Sequence, residues 1–589
     1  MPKAQRKHVR QRKTPAARGP VLVLAVLVCV LTFLIYKNAT VRDPAPASAS
    51  ADGGSAASEA TEASSAPGSE TSGAPQDPAG FAPVASGNTK PSFYVKDTAV
   101  NVDGQNVSSY RSDAPIDFSE GDNYTDVQGI VTFRGNNFRS GGAYGTANII
   151  SKKFGKDPWT VGTSSLKAPD GNVWTGSGWV GQPLVMTWPK EVRAHMNMYD
   201  WAKSADSLTE VIYATMGGSV YFIDLATGKK TRDDLNLGYT FKGAGALDPR
   251  GYPILYLGSG YDSTKGTSHV FIISLLDCST LYEFGANDPF SLRNKISFFD
   301  GSALVDAETD QLIYPGENGI LYIMKLNTKY DAAAGKLSLS PSNIVKWRYN
   351  GARTTQQSYW LGMEDSAVIW HGHIIMSDNG GNLMCLNLNT LKLDWVQNVL
   401  DDTNCSPVLE LEDGHPYVYI STSFHGGWRA PVDGIAKIPV WKIDAENGEI
   451  VWEHDYECYT ADGVSGGVQG TLALGKNKLS NLIFVPVAKT PGVATGILAA
   501  LDKKTGKAVW EVQTQVYSWS SPVAVYDKDG NGYLVFCNSA GYMYLMNGLT
   551  GKVLDSLDVK GHVEASPAVY NDTVVVGTRS QLIWGVKLT

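Results

Sequence analysis

The chain has 589 residues, 61 of them Gly and 10% aromatic, a length and composition suited to many short strands and tight turns rather than one small core. Its net charge is −8, and because the first eighteen residues hold seven Lys and Arg with no acid, the remainder carries −15, which argues against nucleic acid as a partner. No P-loop, His-Glu-x-x-His helix or Ser nucleophile elbow occurs, so the commonest nucleotide, zinc-protease and hydrolase chemistries have no motif to work from.

Residues 1–19 form a basic tail. The apolar run from Val21 to Tyr36, bounded by Pro20 and Lys37, predicts one transmembrane signal-anchor helix over 20–37. Small-residue cleavage sites, Ala45 to Ala47 and Ala47 to Ala49, fall about ten residues beyond that run, which favours an uncleaved anchor over a removed signal peptide. The basic flank then keeps the N-terminus cytoplasmic and places the rest outside, in a single-pass cell-membrane protein. Residues 38–90 are Ala, Ser, Gly and Pro with little apolar content to offset the entropy of ordering, and they read as a disordered linker. Residues 91–157 form a lead-in segment packed on the domain that follows. Of the six cysteines, Cys29 lies in the apolar run; the other five contain no Cys-x-x-Cys, so neither a disulfide framework nor a metal site is predicted, and a Cys405 to Cys458 bridge is left open.

From residue 178 onward one pattern recurs at roughly 40 to 60 residues, the period of propeller blades. Its clearest copies are Ala500-Leu501-Asp502-Lys503-Lys504-Thr505-Gly506 followed by Trp510, and Trp441 to Gly448 followed by Trp452. Copies also end near Gly228, Gly551 and Thr390, and degenerate ones near Leu275, Lys325 and Lys587. Asp or Asn at the strand end bonds the turn backbone, Gly accepts the positive φ, and Trp supplies contact area to the neighbouring sheet. First strands begin on small residues, as at Ser302, Ser366, Ser406, Ser521 and Ser566. Five clear and three degenerate copies predict an all-β, eight-bladed propeller over 158–589, with seven blades as the alternative. The last copy is one strand short, and 158–164, around Trp159, matches the missing fourth strand and is expected to close the ring.

The Ala-Leu-Asp-x-x-Thr-Gly-x-x-x-Trp frame at Ala500 to Trp510 resembles the tryptophan-docking repeat of pyrroloquinoline-quinone-like propellers. Phe133-Arg134-Gly135-Asn136-Asn137-Phe138-Arg139 resembles the segment that leads into such domains, so the likeness spans about residues 130–589. It implies the fold. For an enzyme of the group it would further imply a quinone and a calcium ion in the central funnel, but the vicinal Cys pair usual in those enzymes is absent here.

Funnel-lining candidates are the acids at first-strand starts, Asp300, Glu364, Asp365 and Glu564, which could hold a cation, act as acid and base, or simply line a wet channel. Asp527-Lys528-Asp529-Gly530-Asn531-Gly532 has the opening of a calcium loop without its twelfth-position Glu and reads as a hairpin turn. Two insertions, Trp188 to Leu208 and Ser421 to Pro439, break the repeat. Their candidate partner-binding residues are Trp188, Tyr199, Trp201, His425, Trp428 and Arg429, with folding back over the propeller as the competing reading. His195 and His425 have no ligand neighbours at metal spacing. The expected function is a non-enzymatic binding or scaffold module for protein or envelope-polymer partners, with no cofactor; the alternative is a quinone- or calcium-dependent oxidoreductase with its site in the funnel.

Overall fold

The computed structural model describes residues 80–293, 296–352, 361–424, 434–460 and 464–589. Helix 20–37 and all but the end of the linker lie outside these residues, and among the described ones no helix is long and apolar enough to cross a membrane. Apart from Val464, the described residues belong to a unit formed by 71–461 and 465–589.

Eight antiparallel sheets form the blades of this unit, so the seven-blade alternative is set aside. Their first strands are Leu184–Thr187, Ala246–Leu247, Leu304–Asp306, Val368–Trp370, Val408–Glu412, Ala473–Leu474, Val523–Tyr526 and Ala568–Tyr570, which number blades 1 to 8. Second strands such as Ile254–Gly258 and Thr573–Thr578 are buried throughout, because a sheet lies against each of their faces. Fourth strands alternate. In Ala508–Thr514 the residues Trp510, Val512 and Thr514 are half-buried while their neighbours face water.

The docking tryptophans join one blade to the next. The Trp510 indole N–H donates to the Gly548 carbonyl at 3.0 Å, Trp452 to Lys503 at 2.8 Å and Trp395 to Ala445 at 2.8 Å. Each ring lies against the Gly of the turn that it bonds: a Cβ on Gly506 would stand 2.7 Å from the Trp452 ring, and one on Gly448 2.6 Å from Trp395. The turn Gly is therefore required twice, for its positive φ, +68° at Gly506, and for the flat surface it offers the indole. In blade 8 the fourth strand is Trp159–Gly162, paired antiparallel with Leu582–Lys587 with Thr160 opposite Trp584. Trp159 in turn donates to Leu225 of blade 1 at 2.9 Å and lies on Gly228, so the contact that links successive blades also joins the last to the first.

Around the axis the first-strand hydroxyls form a belt. The backbone N–H groups of Ser302, Ser366, Ser406, Thr471 and Ser521 donate to the hydroxyls of Ser366, Ser406, Thr471, Ser521 and Ser566, each on the following blade.

The lead-in segment is built into the ring. Residues 81–90, which composition assigns to the linker, are anchored by Phe81, buried 4.8 Å from the Trp370 ring, and by Thr89, whose hydroxyl donates to Asn447 at 2.5 Å. Val95–Val102 adds a fifth strand to blade 3 along Ser342–Gly351, covering that sheet's edge. The Phe133 to Gly142 region then runs across the axis: carbonyls of Val131, Asn137, Phe138 and Gly142 accept from Leu247, Ile369, Leu409 and Val569, on blades 2, 4, 5 and 8. Two fully buried arginines pin it. Arg139 donates to Ala367 and Ser302 carbonyls, both at 2.9 Å, and Arg134 to Pro522 at 2.8 Å and Leu472 at 3.2 Å. Neither faces a carboxylate in an ion pair among the described residues, and burial lowers both guanidinium pKa values to about 10. These arginines act as multiple donors for carbonyls that would otherwise be buried without partners.

Candidate functional site at the propeller axis

The first-strand starts bring three of the four funnel candidates to one axial cavity. Asp300, Glu364 and Asp365 line it together with Trp179, Phe133 of the lead-in segment, and the belt residues Ser302, Ser366 and Ser406. Glu564 lies beside it, accepting the Trp179 backbone N–H at 3.3 Å, with His562 and Arg579 at 3.7 and 3.9 Å.

Sequence reasoning missed the residues that organise this site. The Trp179 indole reaches from blade 1 across the axis: its N–H donates to Glu364 at 3.0 Å, its ring lies 4.6 Å from the Lys242 ammonium, and the Trp519 ring is 6.5 Å away. Lys242 pairs with Asp300 at 3.0 Å, and Arg293 bridges Glu317 at 3.2 Å and the Asn379 amide oxygen at 2.5 Å. Glu364 also accepts from Asn379 at 3.1 Å and Asn404 at 3.3 Å. The one signal available was positional: Gly178-Trp179-Val180-Gly181 puts a Trp in the frame where other blades place small residues.

Asp300, Glu317 and Glu364 each offer an oxygen within 4.8 Å of the others, a spacing that could receive a cation. Two internal cations, Lys242 and Arg293, already face these three acids. Burial, with Glu364 adding repulsion, raises the Glu317 pKa, and burial raises that of Asp300 against the pull of Lys242. Burial also works against the Lys242 charge, but Asp300, Glu317 and Glu364 outweigh it and leave its pKa raised. Asp365 belongs to a different arrangement: its carboxylate accepts from the Ser377 hydroxyl at 2.5 Å, and burial raises its pKa to about 7.

A quinone does not fit this arrangement. The axial cavity has a volume of about 20 Å³, enough for a water molecule or an ion but not for a tricyclic acid. Trp179 lines the cavity and Lys242 takes Asp300 Oδ2, while Asp300 Oδ1 and Glu317 Oε2 are buried without a hydrogen-bond partner among the described residues.

The insertions separate into buried and exposed parts. Trp188 is buried and donates to Glu210 at 2.8 Å, and the short helices Lys190–His195 and Asp200–Ser204 bury Val192, Met196 and Ala202 against blade 1. Tyr199 and Trp201 each stay 39% exposed, the Tyr199 hydroxyl donating to Asp233 at 2.6 Å. His425, Trp428 and Arg429 lie outside the described residues. The Asp527 to Gly532 segment forms a hairpin turn: the Asp527 carboxylate accepts from the backbone of Asp529 and Asn531 and from the Asn531 amide. Cys405 and Cys458 lie in one core cluster and are not joined by a disulfide.

A family model described as "Outer membrane protein assembly factor BamB" matches residues 494–588, the outer half of blade 6 with blades 7 and 8. A curated protein of that name from Legionella pneumophila (strain Paris) is 22% identical over 227 residues, which are 38% of this chain and 50% of that protein; the chain thus matches about half the relative's length. Among solved structures, the quinohemoprotein alcohol dehydrogenase of Comamonas testosteroni aligns over 80% of this chain and 82% of its own, with 13% identity and a TM-score of 0.51. Quinohemoprotein alcohol dehydrogenase ADHIIG of Pseudomonas putida HK5 aligns over 81% and 83%, with 11% identity and a TM-score of 0.52. At such identities the two dehydrogenases speak for the fold alone. This chain is an eight-bladed β-propeller whose docking tryptophans, turn glycines and matched terminal repeat resemble those of pyrroloquinoline-quinone-like propellers.

Proposed function

We propose that the chain is a binding or scaffold module of the cell envelope, held to the membrane through residues 20–37 and engaging protein or envelope-polymer partners through its loops. The observation that carries this reading is the closed axis. The funnel where a propeller of this type would hold a cofactor is filled by Trp179, by the Lys242–Asp300 and Arg293–Glu317 pairs, and by the lead-in segment, leaving about 20 Å³. Binding then falls to the rims, where insertions interrupt the repeat. The name of the matched relative, an outer-membrane assembly factor, supports an envelope address, and the acidic charge of the chain beyond its basic tail supports a partner other than nucleic acid.

The second reading, a quinone- or calcium-dependent oxidoreductase, is favoured by one observation, the convergence of Asp300, Glu317 and Glu364. One experiment separates the two. The full-length chain, purified in detergent, is given pyrroloquinoline quinone with calcium. The binding reading expects an unchanged Tm, no dye-linked oxidation of alcohols or sugars, and a reproducible set of envelope partners on cross-linking in cells. A Tm shift with turnover overturns it.

A further inference from the structure

Away from the axis three parts of the chain that the repeat does not need converge on one groove of about 780 Å³. They are the lead-in loop 123–128, the helical insertion after Trp188, and the hairpin Lys329–Asp331 with Lys336–Ser338 that projects from blade 3. The last two touch, since a Cβ on Gly335 would stand 2.4 Å from the His195 ring. The volume falls in the ~300–1,000 Å³ range of ligand sites, and the walls join these parts to blade residues, Met186 and Thr187 of blade 1 and the blade 2 turn Pro249 to Tyr252.

The chemistry of the walls selects the ligand. Tyr252 and Tyr330 place their rings 5.0 Å apart at 52°, the Arg250 guanidinium lies 4.5 Å over the Tyr252 ring, and the Tyr330 hydroxyl is buried without a hydrogen-bond partner. Among the described residues, the side chains of Asn123, Asp126, Gln128 and Ser207 also make no hydrogen bond to protein. The cations of the groove, by contrast, are engaged. Arg250 binds Asp248 and Asp310, both at 2.7 Å; Arg193 donates to the carbonyls of Trp188, Ala202 and Ala205; Lys190 lies 3.6 Å from Asp206. A phosphate or carboxylate ligand would find no free positive charge, and a purely apolar one would leave the Tyr330 hydroxyl and its polar neighbours unpaired. Ring faces beside neutral donors and acceptors, with one free carboxylate, suit a polyhydroxylated ligand.

We propose that this groove binds a short neutral oligosaccharide, stacked on Tyr330 beside the Arg250-covered ring of Tyr252 and hydrogen-bonded by Asp126 and the neighbouring amides. The inference deepens the binding-module reading and rests on it.

The full-length protein is titrated calorimetrically with three hexasaccharides: β-1,4-linked N-acetylglucosamine, β-1,4-linked glucose and α-1,4-linked glucose. At least one binds; Tyr330→Ala and Asp126→Ala each weaken it by about 10-fold or more, with Tm unchanged, and Trp179→Ala at the axis leaves the affinity unaltered. Absence of binding by all three overturns the proposal, as does binding that survives both groove substitutions. Selection of a peptide that Tyr330→Ala releases, with no sugar bound, also overturns it and assigns the groove to peptide. Loss of the glycan result with envelope partners still captured defeats only this inference, whereas quinone-dependent turnover defeats the reading it rests on.

Discussion

The backbone N–H of Ser302 donates to the Ser366 hydroxyl, 2.9 Å away on the next blade, and both residues are buried. A propeller whose first strands are only two to five residues long has few ladder bonds near its axis, so a hydroxyl from the next blade satisfies an N–H that no strand can reach. Ser366→Ala removes that acceptor while leaving the fold's apolar contacts intact. The expected cost is about 1–3 kcal/mol, read as a lower urea midpoint with an unchanged slope. A midpoint equal to the wild type would mean that the belt is incidental.

Glycine in the docking turn is argued to serve two purposes, and the two can be separated. Gly506→Ala meets both a φ of +68° and the Trp452 ring at 2.7 Å, whereas Gly414→Ala meets a φ of +85° with nothing within 4 Å. The Gly414 substitution should cost about 1–2 kcal/mol of backbone strain, and that at Gly506 roughly 1–3 kcal/mol more, because the indole must move. Thermal melts of the two variants test this; equal losses would leave the Trp contact without energetic weight.

The blades were legible because each one repeats a local rule. Asp or Asn, Gly and Trp at fixed offsets announced the third strand, its turn and the docking contact, and Trp159 could be matched to a fourth strand before any pairing was seen. The axis was less legible. Asp300, Glu364 and Asp365 were found because they sit at strand starts, but two of them are held from other blades: Lys242 is 58 residues from Asp300 and Trp179 is 185 from Glu364. No short-range pattern encodes such pairs. The serines were noticed as small residues, yet their acceptor role depends on the register between blades, which only the closed ring defines. Arg134 and Arg139 belonged to a recognised segment, but nothing local said that their guanidinium groups would bond carbonyls of four blades.

Protonation at the axis should make the protein less stable as pH rises. Burial and neighbouring acids raise Glu317 to about 8 and Asp300 to about 6, and burial raises Asp365 to about 7. A carboxyl whose folded pKa exceeds its unfolded value binds more protons when folded, so its contribution is present at low pH and is lost as pH climbs through the folded pKa. Burial lowers the His562 pKa, which opposes this trend around the ordinary imidazole range, so the fall is clearest at the alkaline end. Tm should fall by several degrees between pH 6.5 and 9, and Glu317→Gln, which keeps shape and removes the charge, should flatten that slope. A wild-type Tm that rises over this interval would refute the assignment.

The most severe single loss is expected at Arg139, because one guanidinium there serves four acceptors. It donates to Ala367 and Ser302 on two blades, and to the Phe133 carbonyl and the Thr132 hydroxyl within the lead-in segment, at 2.8 to 3.1 Å. Lys keeps the charge but offers its donors from a single point, so it cannot span acceptors arranged around a planar fork. Arg139→Lys is therefore expected to destabilise by about 3–5 kcal/mol, nearly as much as Arg139→Met. Arg134 anchors the same segment to blades 6 and 7 through Leu472 and Pro522. Once either arginine is lost, part of the segment's grip on the axis is already gone, so the double substitution should cost less than the sum of the two singles. Denaturant melts of the two single variants and the double variant measure that coupling. Strict additivity would show that the two arginines stabilise their blades separately and that the segment across the axis does not act as one unit.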